Sequence, residues 1–142
     1  MHGPSFPRPW GRTAARSAAL ALAFGIAGAA PAAERGFPYD RELFLESGPI
    51  GKSRKIPSLE VKADGRATID LYCASGDGQV TVSGEAIAIV PGPMVEPQCP
   101  PERLRGDDEL MAALSAATSW RREGDALVLM GTRTLRYRPA TD

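Results

Sequence analysis

The sequence predicts a mainly β fold of the α+β kind: a small antiparallel β-sheet or barrel of about seven or eight strands with one helix at about residues 102–118. Three observations predict it. Short runs that alternate apolar and polar residues recur between close turns, as in Ala67-Thr68-Ile69-Asp70-Leu71. The pairs Asp64-Gly65 and Gly84-Glu85 join such runs and mark hairpins. One stretch, Glu102 to Thr118, places its apolar residues at helical spacing instead.

The first 32 residues precede these elements. They carry Arg8, Arg12 and Arg16 with no acid, then the apolar run Ala18–Gly28, then Ala30-Pro31-Ala32. This is the pattern of a secretory signal peptide cut after Ala32. The run is shorter than the ~20 residues that span a bilayer. No arginine pair precedes it and no cysteine ends it, so the expectation is general export of a periplasmic or secreted protein that is not a lipoprotein. The leader takes three of the 17 Lys and Arg and none of the 17 Asp and Glu, which leaves Ala33–Asp142 with a net charge of about −3. That single expected domain has no global basic footprint for nucleic acid and no second apolar segment for a transmembrane span. A monomer is expected.

Glu42–Leu45 is read as the first strand, with Leu43 and Leu45 inward. Gly48 to Pro57 is a turn-rich loop whose Lys52, Arg54 and Lys55 are read as solvated. Ser58–Val61 and Ala67–Leu71 form a hairpin around Asp64-Gly65, with Leu59, Val61, Ile69 and Leu71 on one face and Glu60 and Asp70 towards water. Ser75–Gly78 reads as a turn, and Gln79–Ser83 with Ala86–Val90 as a second hairpin whose Gly84 suits a type II′ turn.

Pro91 to Pro101 holds five prolines in eleven residues, so the expectation is a rigid loop and not a central strand. Met94 and Val95 are its large apolar residues, either contacts for a partner protein or plugs for the core. The helix follows, firm from Asp107 to Ala117, with Leu104, Met111 and Leu114 at helical spacing. Asp107, Asp108 and Glu109 are read as complementing its N-terminal dipole. Trp120–Glu123, Ala126–Met130 and Thr134–Arg138 close the fold as strands.

The residue inventory excludes several chemistries. The single histidine, His2, lies in the leader, so the exported chain has no imidazole for a Ser-His-Asp triad or a metal site. No phosphate-binding loop precedes the helix, and no cofactor or metal is indicated. Cys73 and Cys99 are an isolated pair that brackets a hairpin in an exported chain, which predicts a disulfide. Arg121, Arg122, Arg133, Arg136 and Arg138 form either a basic patch or a solvated face; Leu135 and Tyr137 alternate inward between them.

Taken together, the cysteine before a hairpin, Cys99-Pro100 ahead of a helix, Leu110-Met111-Ala112-Ala113-Leu114, and Trp120 with Gly124-Asp125-Ala126-Leu127-Val128-Leu129 and Leu135-Arg136-Tyr137 resemble the META domain of HslJ-like heat-shock proteins of the bacterial envelope. The resemblance runs from about Leu43 to Arg138, and both cysteines match family positions. Where the family has Gly-Cys-Asn, this chain has Tyr72-Cys73-Ala74. The resemblance implies a small β-rich fold with one helix and a loose link to stress and envelope functions, and it brings no agreed catalytic site to carry over. Three readings follow: a non-catalytic envelope domain supporting stress tolerance or protein interactions, a small-ligand carrier using the interior of the sheet, and a hydrolase using carboxylates alone.

Overall fold

Eight antiparallel strands close into a barrel in the computed structural model, and their order around it follows the chain. They are β1 (Glu42–Leu45), β2 (Ser58–Val61), β3 (Arg66–Asp70), β4 (Ser75–Ser83), β5 (Ala86–Val95), β6 (Ser119–Glu123), β7 (Ala126–Met130) and β8 (Thr134–Pro139), with α1 (Pro101–Ser115) between β5 and β6. The structure describes residues 36–141 together with residues 2–5, 7 and 11. The leader's arginines, its apolar run and the expected cut after Ala32 lie outside the described residues. Among the described residues no helix is long and apolar enough to cross a membrane.

Period-2 alternation sends one face of each strand inward. Leu43 and Leu45 on β1, Leu59 and Val61 on β2, Ile69 on β3, Ile87 and Ile89 on β5, and Leu127 and Leu129 on β7 are all buried. Tyr137, 1% exposed, fills the axis with them, and burial pushes its hydroxyl well above the usual phenol range. The pairing of Leu43 with Pro139 and Leu45 with Tyr137 joins β1 to β8 and leaves no edge at the chain ends.

Three expectations are corrected here. The Ser75–Gly78 turn is the first half of β4, and the Pro91–Pro101 loop is strand as far as Val95. The reason lies in the partners. A Cβ at Gly76 would lie 2.5 Å from the Pro93 carbonyl oxygen and one at Gly78 2.9 Å from that of Val90, so the glycines let β5 close on β4 across a bulge. Pro91 also needs no donor: Ile87 turns its N–H away from β4, to Thr118 O at 3.1 Å, and four residues on Pro91 faces the same way. On that side β5 meets β6 at a single residue pair, Ala86 with Ser119. Beyond it α1 packs on β5 instead.

The third correction concerns the helix, which spans Pro101–Ser115 and so starts one residue earlier and ends three residues earlier than expected. Thr118 cannot extend it because its N–H already bonds Met130 O at 2.9 Å, in the β6–β7 ladder. Pro101 occupies the first turn, where its missing N–H costs nothing. The buried face is Gly106, Asp107, Leu110, Ala113 and Leu114, while Met111 is only partly covered.

Candidate functional site

Chemistry-bearing side chains gather where α1 meets the β3–β4 connection, residues 71–74. Leu71, Tyr72, Cys73 and Ala74 are all buried, and a buried connection must find partners for its backbone polar groups. Leu71 N–H bonds Ala74 O at 2.9 Å, and Lys55 Nζ donates to Cys73 O at 3.2 Å while facing Asp70 at 3.3 Å. Two further donors go to the helix. Asp107, 3% exposed, accepts the Cys73 N–H at 3.1 and 3.2 Å and the Ala74 N–H at 2.7 Å.

This overturns the dipole reading of Asp107. The helix starts at Pro101, so Asp107 lies beyond the first turn, where the dipole acts. Its carboxylate is an internal bridge. The signal in the sequence was its spacing, since Asp107, Leu110 and Leu114 recur on one helical face. Cys73 and Cys99 lie at the same junction with Cα atoms 6.2 Å apart, placed together as a disulfide-like pair. They tie the connection to the residue before Pro100, one position ahead of α1.

Met94 and Val95 part company. Met94 packs against the core, whereas Val95 on the opposite face of β5 is 72% exposed, as Val90 is at 63%. Met94→Ser is therefore expected to cost about 1–3 kcal/mol and Val95→Ser to stay within about 0.5 kcal/mol. Urea midpoints check this, and equal losses would show that both side chains share one environment.

The five arginines do not form a bare basic patch. Arg121 and Arg136 flank Val128 in register, and both bond Glu123, whose carboxyl they hold below the usual carboxylate range. Their stems cover Val128, which is buried although it points outward. Arg136 Nε also meets Glu46 at 2.9 Å, Arg138 pairs with Glu46, and Arg122 reaches Gly36 O at 3.4 Å. Arg133 faces Glu109 across 3.7 Å.

Beside the junction, α1 and β8 enclose a cleft of about 320 Å³. Leu45, Ile50, Leu110 and Leu135 supply apolar walls, and the Ser47 and Tyr72 hydroxyls bond each other at 2.8 Å. Two carboxylates line it, Glu46 and Glu109. Glu46 is engaged by two arginines, which leaves Glu109 without a second free carboxylate to work with. Among the described residues no group of three His, Cys, Asp or Glu side chains converges as a metal site.

Comparison with solved structures shows the same fold at low identity. A DUF4847 family protein from Bacteroides vulgatus matches with a TM-score of 0.50 and 16% identity, over 61% of this chain and 60% of that one. A second structure, determined by NMR, matches with a TM-score of 0.52 and 15% identity, over 70% of this chain and 88% of that one. The chain thus spans only about 60% of the length of the first. No curated protein matches the sequence. The model of the META domain matches residues 42–142, the whole barrel with its helix. The chain therefore belongs to the META domain family.

Proposed function

We propose that the chain is an exported, non-catalytic META domain that binds a partner protein in the cell envelope and supports tolerance of envelope stress. One observation carries the reading. The densest set of reactive side chains, at the α1 junction, is used internally: Asp107 on two backbone N–H groups and Cys73 with Cys99 on each other. A hydrolase built on carboxylates needs a cooperating pair, and Glu46 in the cleft is already engaged by arginines. A carrier that used the interior of the sheet would need room where Tyr137, Leu59, Ile69 and Leu129 lie packed.

The most exposed large apolar side chains among the described residues are Val90 and Val95 on β5, on a strand stiffened by Pro91 and Pro93. A stiff strand loses little entropy on association, which favours contact with a protein. A photo-crosslinking residue at Val95 is expected to capture a discrete envelope protein. Capture should disappear when Val90 is also changed to Ser. A smear of adducts indifferent to Val90→Ser would defeat the reading.

Export is tested separately. Intact-mass analysis of periplasmic material is expected to show a chain beginning at Ala33, from the Ala30-Pro31-Ala32 pattern. A mature start beyond Phe37, or an uncleaved leader, would contradict it.

A further inference from the structure

We propose that the cleft between α1 and β8 binds a small amphipathic monocarboxylate, an apolar chain bearing one carboxylate group. This goes beyond the partner-protein reading and uses a different surface from Val90 and Val95. The volume of about 320 Å³ lies at the lower end of what small-ligand sites offer. Its walls at Leu45, Ile50, Leu110 and Leu135 present apolar surface. The polar atoms set among them, Ser47 Oγ and Tyr72 Oη, share one hydrogen bond at 2.8 Å, which leaves a single O–H to be met by a ligand. An apolar body therefore fits, and a short one, because the barrel axis behind the cleft is filled by side chains such as Tyr137.

The mouth decides the head group. Arg136 is bound by both Glu46 and Glu123, and Arg138 by Glu46. Arg133 is different: its Nη1 lies 3.7 Å from Glu109 Oε2, outside hydrogen-bond distance, and the two side chains are 59% and 70% exposed. Its planar fork of donors is open to a second acceptor, and a carboxylate matches that fork in charge and shape. A cationic head would have to compete with Arg133 for Glu109, and a neutral head would leave the fork unanswered.

Octanoate, octanol and octylammonium distinguish these cases when titrated into the purified protein by calorimetry and by amide chemical shifts. Octanoate is expected to bind saturably and to shift the amides of Leu110 and Leu135. Octanol and octylammonium should bind about fivefold or more weakly. Arg133→Ala should weaken octanoate about fivefold while Arg133→Lys restores part of it, and Glu109→Gln should tighten it by removing the competing carboxylate. Thr134→Trp, which crowds the cleft from an exposed position on β8, should abolish binding with the urea midpoint unchanged. The proposal is overturned by absence of saturable binding, by equal affinity for octanol, by an Arg133→Ala variant that binds octanoate unchanged, or by shifts confined to another part of the barrel.

Discussion

Asp107→Ala is expected to destabilise the protein by about 3 kcal/mol or more, although it removes no large apolar group. The change leaves the buried Cys73 and Ala74 N–H groups without an acceptor, and each such orphan costs roughly 1–3 kcal/mol. For a domain of about 100 residues that corresponds to roughly 15 °C in Tm. Asp107→Asn keeps one carbonyl oxygen and should lose about half as much. Urea unfolding checks both, with the midpoint falling at constant slope. A loss within about 0.5 kcal/mol for Asp107→Ala would show that the connection between β3 and β4 finds its acceptors elsewhere.

Removing the cysteine pair is expected to cost about as much for a different reason. Cys73 and Cys99 are 26 residues apart, and closing a loop of that length restrains the unfolded chain by about 3.5 kcal/mol. The Cys73→Ala, Cys99→Ala double variant should show that loss, and unreduced protein from the periplasm should contain no titratable thiol. Two reactive thiols in such material would end the disulfide reading. The two devices also interact, because both hold residues 71–74 to α1. Combining Asp107→Ala with the cysteine changes should therefore depart from additivity by about 1 kcal/mol, whereas independent sites would add.

The candidate site was half legible. Cys73 and Cys99 stand out as an isolated pair in a chain with a leader, and the structure puts them together. Asp107 does not stand out, because Asp107-Asp108-Glu109 reads as a cluster complementing the helix dipole, and only the position of α1 against the barrel turns one of the three inward. The same holds for the arginines. Their sequence shows charge, but the partners Glu46, Glu109 and Glu123 come from the turn after β1, from α1 and from β6.

What the sequence determined by itself was everything that repeats locally. Alternation in Leu43 to Leu45, Leu59 to Val61 and Leu135 to Tyr137 names the inward side chains, because a strand has a period of two whatever it pairs with. Gly84, at φ 58°, sets its turn for a reason internal to the residue. Tertiary structure decided whatever depends on a neighbour distant in the chain. Pro91 and Pro93 belong to a strand because Gly76 and Gly78 make room for them and β6 leaves their other side free. Asp107 became a bridge because residues 71–74 are buried beneath it with donors to satisfy. Proline and aspartate have strong local preferences, but a missing donor or a buried carboxylate costs energy only in relation to what lies opposite, and that is settled when the barrel closes.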